Sequence, residues 1–313
     1  MPELPEVTTI VSDLNQLVRG KVIKEVSGDT PKLIKPLSFV EFGKRVKGLI
    51  FLRFERRGKY VIGYLGKKVD DYNSSTQVLV WHMRMTGHLL FRDEKKENKE
   101  VAELFNDSRN QFIRFSILFT DNTHLDFSDM RKFGTLHLFV AEELESCKGV
   151  ALLGPDALLT KWKPEKLKNV LTKRKLVLKQ ALLDQSVIAG IGNIYADEIL
   201  WTAKLHPLLK TSELSTKEVA VLLKAIRVVL KKAIVERGSS VDDYRDAFGR
   251  KGKYANFHRV YRRTNKPCFR CGKKIVRITV NGRGTHFCPV CQKLKTRRSV
   301  GSSKQKRQNT NSL

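Results

Sequence analysis

The sequence predicts an α+β protein whose N-terminal part is an antiparallel β-sandwich or barrel and whose C-terminal part is helical. Residues 22 to about 140 consist of short β-prone runs separated by turns, and no helix of about 10–15 residues lies between successive strands. A parallel sheet needs such crossover helices, so antiparallel pairing is expected. From residues 153–156 onwards the hydrophobic period becomes helical, and two cysteine pairs follow near the C-terminus.

The N-terminal part begins with a predicted helix, because apolar residues recur at helical spacing from Val7 to Val18 and Pro5 suits the first turn. The β-prone runs lie at 46–54, 60–65, 78–81, 112–119 and 135–140. The polar stretches 66–77 and 92–110 are predicted to be surface loops.

The C-terminal part has two short helical stretches within 163–184, then a loop at 189–193 that leads into a helix starting near Ile194. Ser215 and Glu218 form a capping box for a long amphipathic helix that ends at Gly238. Residues 239–256 are polar and glycine-bearing, which is typical of a mobile loop. Residues 293–313 carry seven Lys/Arg and no acidic residue, and we expect a disordered basic tail there.

The charge of the chain indicates a polyanionic partner. Its 313 residues have a formal net charge of +28 and a pI near 10.0. Such an excess attracts nucleic acid in a salt-dependent manner, with a membrane surface as the alternative. No apolar run approaches the ~20 residues that span a bilayer, and the N-terminus has no export-signal pattern, so we expect an intracellular protein.

The cysteines predict a metal site. Their spacing, Cys268-x2-Cys271-x16-Cys288-x2-Cys291, lets two tight turns deliver four thiolates to one tetrahedral zinc ion. Such a site has no open position, so the ion would be structural. A disulfide framework fits poorly with a chain that lacks an export signal. Cys147 stands alone and is expected to be a small buried hydrophobe.

Pro2 is a candidate nucleophile. Proline is a residue after which the initiator methionine is normally removed, and the mature chain would then begin with a secondary amine. Attack of that amine on a sugar aldehyde carbon gives an iminium that cannot lose its charge by deprotonation, which favours elimination chemistry. The adjacent Glu3 could transfer protons. The alternative is that these residues only start the helix.

The loop Gly190-Ile191-Gly192-Asn193 precedes a helix and resembles part of a dinucleotide-binding fingerprint. However, Tyr195 replaces the third glycine and a helical stretch rather than a strand precedes the loop. A phosphate-binding helix N-terminus with Asn193 as its cap is the preferred interpretation.

Several motifs together resemble the formamidopyrimidine-DNA glycosylase family, which also includes endonuclease VIII. They are PELPEV at the start, RRGKY at 56–60, WHMRMTGHL at 81–89, DMRKFG at 129–134, LGPDAL at 153–158, KQALLDQSVIAGIGNIYADEIL at 179–200, HP at 206–207, GSSVDDY at 238–244 and the cysteine module. The resemblance covers the chain from Pro2 to about Gln292.

The resemblance implies roles for individual residues. Pro2 would be the nucleophile, Glu3 the proton-transferring group, Glu6 a supporting carboxylate, and Lys59 a cation beside the lesion sugar. The residues that would hold the flanking phosphates are His82, Lys132, Asn193 and Arg283. The residues that would enter the duplex in place of a flipped nucleotide are Met85, Arg131 and Phe133.

The resemblance also assigns residues to the damaged base. Lys179 would lie near the flipped base, Ser239 would accept a hydrogen bond from the N7 hydrogen of an oxidised purine, and the amides of residues 241–244, up to Tyr244, would meet its O6. The sequence departs from the family pattern at Met130, at Lys132, and at Arg262 and Asn265, where glycines are usual. The chain path is therefore expected to differ near residue 262.

The resemblance implies four segments: a catalytic β-sandwich with flanking helices (2–140), a helix-two-turn-helix domain (153–260) with a lesion-capping loop (239–256), a zinc ribbon (262–292) and the tail (293–313). It implies a monomeric base-excision repair enzyme, cytoplasmic and nucleoid-associated, that acts on damaged double-stranded DNA with one structural Zn²⁺, no organic cofactor and no membrane partner. The enzyme would remove 8-oxoguanine opposite cytosine and formamidopyrimidines, then cleave the abasic strand by β,δ-elimination. The alternatives are an endonuclease VIII-like enzyme for oxidised pyrimidines and a non-enzymatic damaged-DNA-binding protein.

Overall fold

The computed structural model describes residues 1–69, 72–73, 76–93 and 104–294. The predicted tail lies outside these residues, except for its first two positions. The helices are α1 (Leu4–Leu17), α2 (Phe39–Val46), α3 (Lys148–Ala151), α4 (Pro164–Thr172), α5 (Leu178–Leu183), α6 (Asn193–Ala203) and α7 (Thr216–Val235). Short 3-10 helices lie at Pro31–Leu33, Ser108–Gln111, Ala141–Ser146, Thr211–Glu213 and Tyr254–Phe257.

The strands form two larger sheets and one hairpin. They are β1 (Ile23–Gly28), β2 (Ile34–Lys35), β3 (Ile50–Arg57), β4 (Tyr60–Gly66), β5 (Gln77–His82), β6 (His88–Asp93), β7 (Ile113–Phe119), β8 (Thr123–Ser128), β9 (Thr135–Val140), β10 (Val276–Val280) and β11 (Arg283–Phe287). The sheet orders are β1-β7-β8-β6 and β2-β9-β5-β4-β3, and β10 pairs with β11. All pairs are antiparallel except the short β2–β9 pair.

The two larger sheets share one core, which confirms the predicted antiparallel sandwich. Phe51 of β3 meets Phe119 of β7 edge-on across this core, with ring centroids 6.1 Å apart. Helix α1 covers it with Val7, Ile10 and Leu14. The run predicted as a strand from residue 46 is wrong at its start, because Ser38 caps helix α2 and Val46 is the last residue of that helix.

Helix α1 belongs to both parts of the protein. Its first residue, Leu4, is fully buried in the core of the helical part, whereas its later apolar residues lie in the sandwich core. Gly190, in the loop before α6, accepts a hydrogen bond from the Leu4 N–H at 3.0 Å. The N-terminus is therefore fixed between the two parts.

An ion pair joins the two parts at the predicted boundary. The Arg56 guanidinium, at the end of β3, donates to both carboxylate oxygens of Asp156 at 2.6 and 3.0 Å. Asp156 also accepts from the N–H groups of Leu158 and Leu159. Together, the guanidinium and these N–H groups hold the pKa of the Asp156 carboxyl below its usual range despite its burial.

Cys147 is buried against the outer face of the five-stranded sheet, as expected for a small hydrophobe.

The cysteine module packs on α6. Trp201 of α6 donates its indole N–H to the Cys268 sulfur at 3.4 Å, and Arg270 stacks on the Trp201 ring at 3.7 Å. Arg262 and Asn265, which precede the module, both have left-handed backbone with φ of 55° and 65°. The chain path was expected to differ near residue 262, but this expectation is wrong, since both residues adopt the left-handed conformation that glycine favours.

Among the described residues, no helix is long and apolar enough to cross a membrane.

Candidate active site and nucleic-acid interface

The carboxylate of Glu3 lies at the N-terminus of α6. It accepts hydrogen bonds from the N–H groups of Gly192 at 2.8 Å, Ile194 at 2.9 Å and Tyr195 at 3.4 Å. Gly192 allows this approach, because a Cβ at that position would lie 2.3 Å from the Glu3 carboxyl carbon. A carboxylate is favoured here by the unpaired N–H groups and the helix dipole.

This contact corrects the interpretation of the 190–193 loop as a phosphate site. The first amides of α6 bind a carboxylate of the chain itself, and the helix cap is Gly192, without a side-chain hydrogen bond. Asn193 is the first helical residue. Its amide group donates to the Gly284 carbonyl of the ribbon at 3.1 Å. The Asn193 Oδ1 atom is buried without a hydrogen-bond partner in the described structure, which leaves an acceptor at this point.

Glu6 is completely buried beside Glu3. It accepts from the Tyr195 hydroxyl at 2.5 Å, the Ser239 N–H at 2.7 Å and the Glu3 N–H at 2.8 Å. Burial, and then the charge of Glu3, raise the pKa of the Glu6 carboxyl despite these donors. Glu6 therefore connects the N-terminus, helix α6 and the start of the 239–256 loop.

Pro2 and Lys59 both lie near the Glu3 carboxylate. Pro2 is buried and directly precedes Glu3. Lys59, in the turn between β3 and β4, is 6% exposed, and burial lowers the pKa of its ammonium group. The charges of Glu3 and Glu6 oppose this shift, whereas the nearby Arg283 guanidinium adds to it. The structure therefore brings the four predicted catalytic residues together with Arg283.

His82, at the end of β5, is a neutral hydrogen-bond donor. Burial, with the positive charges of Arg84 and Lys59, lowers the pKa of its imidazole to about 3. Its Nδ1 atom accepts from the Arg84 N–H at 3.0 Å, so the proton resides on Nε2. An Nε2–H group is suited to donate to a phosphate oxygen.

The three residues predicted to enter a duplex are all exposed. Met85 is 38% exposed and Phe133 is 52% exposed, although residues of this type would otherwise be assigned to a core. The Arg131 guanidinium lies over the Phe133 ring at 4.6 Å. Lys132 is exposed, with left-handed backbone, and lies 3.8 Å from Asp29.

Asp129 fixes the loop that carries Arg131 and Phe133, a role that the sequence analysis did not predict. Its carboxylate accepts from the N–H groups of Arg131 at 3.2 Å and Gly134 at 2.8 Å, and from the Thr86 hydroxyl. Thr86 follows Met85, so one carboxylate holds both loops. Asp129 directly precedes a turn, and an aspartate in that position, which commonly accepts from the N–H two residues on, was the signal that could have revealed this role.

Lys179 lies in the protein core. Its side chain is completely buried, and its ammonium group donates to Asp197 at 2.6 Å and to the Asn193 carbonyl at 3.0 Å. Asp197 also accepts from the His286 N–H at 2.9 Å. Contact between Lys179 and a flipped base stays a prediction, and in this conformation the Lys179 ammonium group is joined to the start of α6 through the Asn193 carbonyl.

The 239–256 loop is packed against the rest of the protein. Besides its bond to Glu6, Ser239 lies 2.9 Å from His258 through its hydroxyl. Tyr244 is buried, and its hydroxyl has no hydrogen-bond partner among the described residues. The Arg262 guanidinium pairs with Asp242 at 2.7 Å.

The four paired cysteines converge on one point. One sulfur from each of Cys268, Cys271, Cys288 and Cys291 lies within 4.8 Å of the others. Four thiolates at this separation match the donor set of a closed tetrahedral metal site. The turn of the adjoining hairpin, at Asn281 and Gly282, precedes the exposed Arg283.

The fold and the site together define the class of this protein. The buried Pro2 and the carboxylates of Glu3 and Glu6 lie between its two parts, and the hairpin of the cysteine ribbon contacts the N-terminus of α6. Family models agree with this class. The formamidopyrimidine-DNA glycosylase N-terminal domain matches residues 1–136, the H2TH domain of that glycosylase matches 153–245, and a zinc finger found in FPG and IleRS matches 265–294.

Relatives cover almost the whole chain. The formamidopyrimidine-DNA glycosylase of Streptococcus pneumoniae is 36% identical over 294 residues, or 94% of this chain and 99% of that protein. The enzyme of that name from Bacillus subtilis is 38% identical, over 93% of this chain and 99% of that protein.

Solved structures of Lactococcus lactis Fpg are similar as well. The complex with DNA containing an abasic site has a TM-score of 0.80 and 33% identity, and covers 93% of this chain and 99% of that one. The complex with DNA containing N7-benzyl-Fapy-dG has a TM-score of 0.79 and 33% identity, and covers 93% of this chain and 100% of that one. The chain belongs to the formamidopyrimidine-DNA glycosylase family, and it is therefore an enzyme of the DNA glycosylase class. The fold and the family predicted from sequence are confirmed.

Lys179→Met tests the buried ion pair. The change keeps the volume but leaves Asp197 charged in the core, and breaking such a pair typically costs about 3–5 kcal/mol. We expect the free energy of unfolding to fall by roughly this amount in a denaturant titration. The exposed Lys224→Met on α7 is the matched control, and equal stability of the two variants would contradict a stabilising role for Lys179.

Proposed function

We propose that the protein is a bifunctional DNA glycosylase and AP lyase that acts on damaged double-stranded DNA and removes oxidised purines. Its chief substrates would be 8-oxoguanine opposite cytosine and formamidopyrimidines, and β,δ-elimination would then cleave the abasic strand. The observation that carries the proposal is the position of Pro2 beside Glu3, with the Glu3 carboxylate held by three amides of α6 and the buried Lys59 facing both acids.

The chemistry begins at Pro2 once Met1 has been removed. The secondary amine attacks C1′ of the lesion nucleotide as the bond to the damaged base breaks, and the departing base takes up a proton. The attached nitrogen loses its proton and the C1′–O4′ bond breaks as Glu3 delivers a proton to the ring oxygen, which leaves an open-chain iminium. Loss of the C2′ proton then expels the 3′ phosphate, a second elimination expels the 5′ phosphate, and water releases Pro2.

The surroundings of Glu3 and Lys59 support these roles. Fixed amide donors orient the Glu3 carboxylate, so little reorganisation is needed when a proton moves. Burial lowers the pKa of Lys59, which makes its ammonium group a better proton donor than that of an exposed lysine. Glu6 would act as a supporting group that ties the start of the 239–256 loop to the nucleophile.

The exposed surface supports a DNA partner. Met85 and Phe133 are exposed apolar residues, and the Arg131 guanidinium lies over the Phe133 ring, a combination that could replace a flipped nucleotide and pair with the orphaned base. The net charge of +28 supports salt-dependent binding to phosphates. Similar solved structures of Lactococcus lactis Fpg are complexes with abasic-site DNA and with Fapy-dG-containing DNA.

We assign one structural Zn²⁺ to the four cysteines. When bound, the ion would hold the two turns of the ribbon together and thereby fix the hairpin that carries Arg283. No step of the reaction needs it. The proposal further includes a monomeric state and action at the nucleoid in the cytoplasm.

Borohydride trapping tests this function. Duplex DNA with 8-oxoguanine opposite cytosine is incubated with the protein and sodium borohydride, beside a duplex with dihydrothymine. Because reduction makes the iminium permanent, we expect a covalent complex on the first duplex, and mass spectrometry of its peptides should place the sugar on Pro2.

The other results of this experiment are equally informative. A complex only with dihydrothymine would indicate an endonuclease VIII-like enzyme. No complex on either duplex, from protein shown to have lost Met1, would indicate a DNA-binding protein without catalysis. An adduct on Lys59 would contradict Pro2 as the nucleophile.

Removal of the metal gives a second test. Elemental analysis should find about one zinc per chain, and Cys268→Ser with Cys288→Ser should lose it together with most affinity for duplex DNA, since unfolding of the ribbon releases Arg283. Cys147→Ser, outside the cluster, is the control and should keep the zinc. Full zinc content in the double variant would contradict the assignment.

A further inference from the structure

A short segment of the N-terminal part contacts the 239–256 loop at three points. Asp107, which caps the 3-10 helix Ser108–Gln111, lies 2.6 Å from the Arg245 guanidinium. Arg109 pairs with Asp243 at 3.0 Å. Asn110 donates to the Gly249 carbonyl at 3.1 Å. The loop is thus held by residues 107–110, which are called the docking segment below.

Two of these contacts depend on features of the 239–256 loop itself, the burial of Arg245 and the missing side chain of Gly249. Arg245 is 4% exposed and also donates to the carbonyls of Asp242 and Tyr244, so Asp107 provides the carboxylate for a largely buried guanidinium. Gly249 has a φ of +72°, and a Cβ there would lie 2.6 Å from the Asn110 amide nitrogen. This close approach requires glycine.

The docking segment also connects to the loop that would enter DNA. Asn110 uses its amide N–H groups on the carbonyls of Gly249 and Leu104, so its oxygen accepts from His88 Nε2 at 3.1 Å. His88 is buried beside Thr86, and the Thr86 hydroxyl donates to Asp129. Asp129 in turn holds the backbone of Arg131 and Gly134.

A chain of contacts therefore runs from the 239–256 loop to the loop of Arg131, through hydrogen bonds on either side of the packed pair His88 and Thr86. We propose that Asp107, Arg109 and Asn110 are positioning residues that hold the 239–256 loop in place relative to the duplex-entering residues, and thereby favour lesions that still carry a base over abasic sites. This inference rests on the proposed function, in which the 239–256 loop covers the damaged base. An abasic site offers no base to cover, so its cleavage does not need the docked loop.

A charge exchange tests the inference. Arg109→Asp places two carboxylates together, Asp243→Arg places two guanidiniums together, and the double variant restores an ion pair. Couplings between contacting residues commonly reach about 1.4 kcal/mol, or tenfold. We expect each single variant to excise 8-oxoguanine about tenfold more slowly under single-turnover conditions, to cleave a preformed abasic site at the wild-type rate, and the double variant to recover most of the loss.

The control is Arg45→Asp on α2, which makes the same charge change at an exposed pair with Glu41. It should change neither rate. An equal loss on both duplexes in Arg109→Asp, or no rescue in the double variant, would overturn the inference, since either result would reflect lost general affinity or misfolding.

Hydrogen exchange separates this inference from the proposed function. Amides of residues 239–256 should exchange faster in Arg109→Asp than in wild-type protein and Arg45→Asp, whether or not the protein is active. Unchanged exchange would overturn the docking role. Inactivity of the wild-type protein on both duplexes would contradict the proposed function instead.

Discussion

Three backbone N–H groups at the start of α6 converge on the Glu3 carboxylate, and the arrangement of the site depends on this contact. The amides would otherwise be unpaired at a buried helix end, and the carboxylate would otherwise be buried without donors. The amides and the carboxylate therefore satisfy each other's hydrogen bonds, which offsets the free-energy cost of burying both. Because Glu3 is fixed to the helical part while α1 packs in the sandwich core, the contact places Pro2 between the two parts.

The same region is dense in glycines for a related reason. Gly190 and Gly238 have φ of +105° and +82°, and a Cβ at either would lie within 3 Å of Leu4 or Glu6. The chain thus approaches α1 from two sides with backbone rather than side chains. The 239–256 loop begins at Gly238 and is bonded to Glu6 through Ser239, which ties its start to the candidate catalytic carboxylates.

The sequence predicted most of the fold because its patterns are local. Short β-prone runs separated by turns predicted antiparallel pairing, the Ser215–Glu218 capping box is present at α7, and the cysteine spacing matches the observed cluster. Spacing alone did not predict contacts between distant segments. Asn193 was predicted to cap α6, but the amides at the start of α6 donate to Glu3, which lies 189 residues before Gly192 in the sequence. The resemblance implied that Lys179 lies near the flipped base, but nothing in the sequence indicated its buried ion pair with Asp197.

The most direct test of this account is Gly192→Ala. The φ of Gly192, −125°, suits any residue, so the change acts only through the added Cβ, which must displace Glu3. Misplacement of about 1 Å can cost 10²-fold in rate, and we predict such a loss in the rate of borohydride trapping on an abasic duplex. Gly43→Ala in α2, where the backbone is helical and the added Cβ meets only the flexible Val26 side chain at 3.1 Å, is the control. Trapping by folded Gly192→Ala at the wild-type rate would contradict the central role of the contact between Glu3 and α6.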